Sequence, residues 1–189
     1  MFRLLLSSCR RLGRMVQDKR AVSAIEFAIL APLMITMYVG AAELGNALTI
    51  NRRTSAVTST AADLVAQVKS LSSSDLQDIG KAATSVMAPY PTTPLKIVLT
   101  SVVADQNNNG KVTWSYATNG GAKRGCGSSY SVPAGLTQPN SSVIVAEVVY
   151  KFKPMTNLTL FGAPVGYDMK RTFYARPRKS LEVKKTDGC

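Results

Sequence analysis

The sequence predicts an α+β protein with one long helix at the N-terminus, a short second helix and an antiparallel sheet of about four strands. Three observations support this prediction. An apolar run occupies residues 22–45, an amphipathic helical pattern follows it, and the second half of the chain holds valine- and isoleucine-rich segments separated by turn residues. The 189 residues suffice for one globular domain in addition to a membrane segment.

The apolar run is long enough to cross a membrane. Residues 27–42 contain no charged side chain, and a spanning helix needs about 20 mainly apolar residues. We therefore predict a basic cytoplasmic leader (1–21), a transmembrane helix (22–45) and an extracytoplasmic domain (46–189). Residues 1–21 hold six basic residues and one acidic residue, which by the positive-inside rule places the N-terminus in the cytoplasm. The alternative is an ordinary secretory signal peptide, cleaved at the small residues 40–42.

The apolar run contains one carboxylate near its start, Glu26, and one at its end, Glu43. Glu26 and Glu43 lie roughly 25 Å apart along a helix axis, so that Glu43 reaches a membrane face while Glu26 remains among apolar neighbours. A carboxylate inside a membrane costs about 2.5–3.5 kcal/mol on insertion scales and is a functional hypothesis by default. The structural alternative is a glutamate that extends to the lipid headgroups.

The junction of leader and apolar run resembles the processing site of type IV pilin-like precursors. In that family a basic leader is cut after a small residue, and the fifth residue of the mature chain is glutamate. A cut after Ala21 makes Val22 the first mature residue and Glu26 the fifth. Alanine stands here where the family prefers glycine.

A narrower resemblance covers about 25 residues. The segment 24–28 with Glu26 and Phe27, the Ala-Pro-Leu sequence around Pro32, and the Glu-Leu-Gly sequence from Glu43 to Gly45 are similar to the signature of TadE-like proteins. These proteins are minor pseudopilins of the tight-adherence (Tad, or Flp) pilus systems of bacteria. Residues 150–154 and 173–178 are similar to the closing strands of the same family.

The resemblance implies a pilin-like fold and a minor pseudopilin needed for pilus assembly, surface adherence or pilus tip function. The implied partners are the major Flp pilin, other minor pseudopilins, the prepilin peptidase and the inner-membrane assembly platform. The implied location is a single pass through the bacterial inner membrane, with incorporation into the extracellular pilus as a second location. Glu26 and Phe27 would direct assembly. The alternative functions are a membrane-anchored binding or adhesion module outside any pilus, and a minor pseudopilin of type II secretion.

The rest of the chain predicts the periplasmic domain. Apolar residues recur at steps of three and four from Val57 to Leu71 and mark one helical face. Ser74 and Gln77 form a capping-box pattern before a second helix over residues 75–87. Strands are predicted over residues 95–104, 111–116, 142–152 and 167–175.

The cysteines allow one disulfide. Cys9 falls in the predicted leader, which leaves Cys126 and Cys189 in an oxidising compartment and favours a bond between them. The alternatives are free thiols or a bond between subunits.

No catalytic, metal or cofactor site is predicted. The chain has no histidine, so a Ser-His-Asp or Cys-His arrangement is impossible. Asp105, Asn107 and Asn109 begin a calcium-loop pattern, but tyrosine occupies the position of its bidentate glutamate, and a polar hairpin turn explains the same residues. Basic residues over 170–185 favour a solvated face or acidic partners over nucleic acid, because few aromatic residues lie among them.

Overall fold

The computed structural model describes residues 19–133, 135–154 and 166–188. These residues form an α+β protein, as predicted, and divide into two compact units, the first ending at Gly45 and the second beginning at Asn46. The elements in chain order are α1 (Lys19–Ala66), β1 (Ser70–Leu71), α2 (Ser73–Ser85), β2 (Leu95–Ala104), β3 (Gly110–Ala117), β4 (Ser142–Phe152), β5 (Tyr167–Ala175) and β6 (Lys184–Lys185).

The part of α1 in the second unit buries one face. Ile50, Val57, Ala61 and Val65 recur at helical spacing and belong to the hydrophobic core. Thr54 is also buried there, and its hydroxyl donates a 2.9 Å hydrogen bond to the Ile50 carbonyl within the same helix. Such a bond lets a polar side chain share an apolar face without an unsatisfied donor.

The predicted apolar face continues beyond the helix, which ends at Ala66. Leu71 is buried, but it belongs to β1, which pairs in parallel with β6 near the C-terminus. The sequence prediction of a single helical stripe up to Leu71 is therefore wrong in its last turn. The parallel pair joins segments more than 110 residues apart, so a local pattern does not indicate it.

The second helix begins earlier than predicted. Ser72, not Ser74, is its N-cap, because the Ser72 hydroxyl accepts a bond from the Asp75 amide while the Asp75 carboxylate accepts one from the Ser72 amide. These hydrogen bonds lower the pKa of Asp75, mainly through the Ser72 amide. The short carboxylate of aspartate thus completes the capping box that we assigned to Gln77.

The sheet has the order β3-β2-β4-β5, with antiparallel neighbours throughout. Three strands have the predicted bounds, and β3 is one residue longer at each end than predicted. In the turn before β3, the Asp105 carboxylate accepts hydrogen bonds from the amides of Asn107 at 2.9 Å and Asn109 at 2.8 Å. This is a polar hairpin turn, and the described residues hold no group of acidic, histidine or cysteine side chains suited to a metal ion.

The two faces of the sheet bury different clusters. The face towards the core carries alternate residues of the central strands, among them Ile97 and Leu99 of β2 and Val148 of β4, all fully buried. On the opposite face, a small cluster around Val102 and Val143 is covered by partly buried side chains that include Tyr130.

Candidate membrane and assembly segment

The first unit exposes apolar side chains on all sides of α1. Phe27 is 68% exposed, and Tyr38 is 78% exposed. Among the described residues, α1 is the one helix long and apolar enough to cross a membrane, and its most apolar window has a mean hydropathy of 1.9. A helix that is apolar all round is stable in a membrane or inside a larger assembly. This segment is therefore a candidate membrane anchor.

Glu26 lies within this exposed apolar surface. Its side chain is exposed, and the neighbouring Ile25 and Phe27 are exposed apolar residues. Val22 precedes Glu26 by four positions in α1, which places the two residues on one face of the helix, about one turn apart. The peptide between Ala21 and Val22, where we predict processing, lies in the first turn of α1 as described.

Pro32 interrupts the hydrogen-bond ladder in the middle of the segment. It lies inside α1 and has no amide N–H. The Thr36 hydroxyl donates a 2.7 Å hydrogen bond to the Pro32 carbonyl. The threonine side chain is thus satisfied within the helix, as a polar group in a membrane segment must be.

The glycines of this segment have room for a side chain. Apart from the backbone of its own helix, a Cβ atom added to Gly40 or Gly45 would meet no atom of the described residues within 4 Å. Glycine inside a helix costs about 1 kcal/mol relative to alanine. Space around these positions is therefore available to a neighbouring molecule, and small residues are the type that lets two membrane helices approach closely.

Comparison with protein families identifies the same segment. The family model described as TadE-like protein matches residues 21–63. Residues 21–63 are therefore similar to TadE-like proteins. The match contains Glu26, Phe27, Pro32, Glu43 and Gly45, so it confirms the resemblance that the sequence predicted. No curated protein and no solved structure matches the chain significantly.

The TadE-like match ends inside α1. The capping box, the sheet and the C-terminal segments that we compared with the family's closing strands lie outside it. The predicted Cys126–Cys189 disulfide stays a prediction, since Cys189 lies outside the described residues. The predicted leader likewise lies mostly outside them.

The basic C-terminal stretch does not form one continuous free surface. Arg171 donates to the side chains of Asn51 and Ser55 on α1, and Arg178 forms a salt bridge with Asp63. Arg176 donates to two backbone carbonyls, and Lys185 forms a salt bridge with Asp187. Arg171, Arg176 and Arg178 therefore fasten the C-terminal part of the chain to the rest of the second unit, while Lys185 binds within its own segment.

Sequence reasoning missed one charged pair of the second unit. Arg124 binds Glu147 through two nitrogens and lies 4.6 Å from the centre of the Tyr130 ring. The hydrogen bonds that Arg124 donates to the Glu147 carboxylate raise the pKa of Arg124. This arrangement holds the segment that carries Cys126 against the sheet. The only local signal was an arginine in a glycine-rich loop, which indicates no partner.

Proposed function

We propose that this chain is a minor pseudopilin of a Tad (Flp) pilus, anchored by residues 22–45 in the bacterial inner membrane. A prepilin peptidase removes residues 1–21, and residues 46–189 form the periplasmic domain. The TadE-like match supports this proposal, because it begins at Ala21 and contains the whole apolar segment.

The observation that carries the proposal is the exposure of Glu26 among exposed apolar side chains. In lipid these apolar side chains are stable, but the carboxylate is not unless a cation neutralises it. Cleavage after Ala21 creates a free α-amine on Val22. The amine of one subunit then pairs with the Glu26 carboxylate of the next, and this pairing favours assembly over the isolated subunit.

The two glycines support a role in helix–helix contacts. Among the described residues both have open space where a side chain would lie, and both lie in the segment that would contact other pilus subunits. Assembly with the major Flp pilin, other minor pseudopilins and the inner-membrane platform accounts for small residues at these positions. With no histidine in the sequence, we also propose a structural role and not an enzymatic one.

N-terminal sequencing of the protein from a membrane fraction tests the processing step. We expect a mature chain that begins at Val22. An intact Met1 in cells that assemble pili normally would contradict the proposal and favour an uncleaved membrane-anchored module.

The variant Glu26→Gln tests the assembly step. It keeps the size of the side chain but removes the charge, so we expect the protein to insert in the membrane while its copurification with pilus subunits falls strongly. Glu182→Gln makes the same chemical change in the second unit and serves as the control. Unchanged pilus assembly and copurification for Glu26→Gln would refute the role of the charge pair.

A further inference from the structure

Three lysines of the second unit lie on one face of the sheet, at one end of it. Lys96 of β2 and Lys170 of β5 are both in register with Val149 of the strand between them, and Lys151 follows Val149 by two residues. Because side chains two residues apart point to the same face, the three lysines share the face opposite the core. All three are exposed. We call Lys96, Lys151 and Lys170 the lysine patch.

The lysine patch has little compensating negative charge. Lys151 is a diagonal neighbour of both Lys96 and Lys170. Diagonal neighbours on adjacent strands lie about 7–8 Å apart, so the like charges of these lysines repel one another. Four salt bridges join described side chains, and none includes a patch lysine. Asp168, opposite Lys151 in the register, offsets one of the three lysine charges, and Glu147 on the same face is bound by Arg124, so the patch keeps a net positive charge. Residues 155–165, which connect β4 and β5, contain no charged residue.

The contacts of β5 with α1 show at which end of the second unit the patch lies. Arg171 bonds to Asn51 and Ser55, and the Arg178 amide donates to the carbonyl of Ala66, so β5 and α1 run in the same direction. A strand rises about 3.3 Å per residue and a helix about 1.5 Å. Four strand residues before Arg171 therefore correspond to about nine helix residues, which puts the start of β5 level with the helix turn around Asn46.

Asn46 is where the second unit begins, directly after the exposed apolar segment. If that segment is anchored as proposed above, the end of the unit that carries the patch is the end that the chain joins to the anchor. Each lysine close to an anionic lipid surface strengthens the binding of the protein to that surface about fivefold. We propose that the lysine patch binds the phosphate groups of anionic phospholipids and holds this end of the periplasmic domain on the membrane; this inference rests on the proposed membrane anchoring.

The test is lysine acetylation, followed by mass spectrometry, on the full chain in nanodiscs. One set of discs contains phosphatidylcholine alone, and the other contains phosphatidylcholine with phosphatidylglycerol. In the anionic discs we expect the acetylation rates of the three patch lysines to fall about fivefold and to recover at high salt. Lys179 and Lys184 serve as internal controls, because they are exposed, lie in the segment beyond β5 and should react equally in both discs.

A pair of variants with equal loss of charge makes the test sharper. K96Q/K151Q/K170Q removes the patch, while K111Q/K179Q/K184Q removes three exposed lysines elsewhere. The exposed Lys153, two residues after Lys151, is the common reporter. We expect the first variant to weaken the protection of Lys153 in anionic discs and the second to preserve it.

Each other outcome has a distinct meaning. Equal reactivity of the patch lysines in both discs, with the protein inserted, overturns the lipid assignment. Protection by inorganic phosphate with phosphatidylcholine discs overturns the membrane surface as the source of the anion. If the patch lysines are protected only when an acidic protein from the pilus assembly is present, the lipid assignment is overturned in favour of a protein partner. Failure of the chain to remain in the discs after carbonate washing contradicts the anchoring proposal itself.

Discussion

Trp114 is the residue whose replacement should most clearly loosen the C-terminal segment from the core. Its indole Nε1 donates a 2.7 Å hydrogen bond to the carbonyl of Val183, which immediately precedes β6. Trp114 is 2% exposed and Val183 is fully buried. The substitution Trp114→Phe keeps an aromatic ring in the core but removes the donor.

The cost of Trp114→Phe has two parts. A buried carbonyl left without its partner costs about 1–3 kcal/mol. The smaller ring leaves a cavity of roughly 40 Å³, which at about 24 cal/mol per Å³ adds about 1 kcal/mol. The free energy of unfolding of the second unit should therefore fall by about 2–4 kcal/mol. For a unit of this size, that corresponds to a decrease in Tm of about 5–15 °C.

Thermal unfolding of the full chain, followed by circular dichroism in nanodiscs, measures this decrease. Amide hydrogen exchange adds a local measurement. The amides of Lys184 and Thr186 donate to the carbonyls of Lys69 and Leu71, and both should exchange faster in the variant. Phe173→Leu shortens an aromatic side chain that is 43% exposed and should change Tm little. A Tm for Trp114→Phe within about 1 °C of the wild type, or unchanged exchange at these two amides, would refute the reasoning.

Three further predictions concern the second unit. Hydrogen bonds from the hydroxyl and amide of Ser73 lower the pKa of Asp187 to about 2, so this contact stabilises the fold fully above the unfolded pKa of about 4 and is lost as pH falls towards 2; a fall on acidification in the protection factor of the Ser73 amide, measured against its intrinsic exchange rate and absent in Asp187→Asn, would show it. Arg124→Met removes a partly exposed cation from a carboxylate of β4 and should lower Tm by about 2–4 °C, since screening limits the loss to about 1 kcal/mol; a change below about 0.5 °C would contradict this. Non-reducing mass spectrometry of the mature protein should find one Cys126–Cys189 peptide, and free thiols or a dimer linked through either cysteine would contradict the prediction.

The strands could be predicted because their signals are local. In β2 and β4, runs of valine, isoleucine and leucine stop at turn residues on both sides, and the structure begins and ends both strands at the predicted residues. The N-terminus of α2 was harder to predict because three consecutive serines, 72–74, offer equivalent caps. Ser72 is the cap because its amide donates a hydrogen bond to the Asp75 carboxylate, which completes the capping box.

The contacts that close the second unit are not local and could not be predicted in the same way. The parallel pairing of β1 with β6, the bond from Trp114 to Val183 and the salt bridge of Arg124 with Glu147 each join segments between 23 and 115 residues apart. A sequence pattern shows that a tryptophan is buried, but it does not show which carbonyl the indole reaches. In the candidate site, spacing identified Glu26, whereas its proposed partner belongs to another molecule.

The single helix α1 is therefore subject to two kinds of constraint. From residue 46 onward its inner face meets the sheet, where a core accepts many apolar side chains of suitable size and only their spacing is fixed. Before residue 46 most of its described apolar side chains are exposed, and the position of one carboxylate five residues after the proposed cut determines what that carboxylate can pair with. Before residue 46, therefore, both the position of the carboxylate and its identity as a carboxylate are restricted. The TadE-like match covers this restricted segment and continues along α1 to residue 63, whereas the sheet lies outside it.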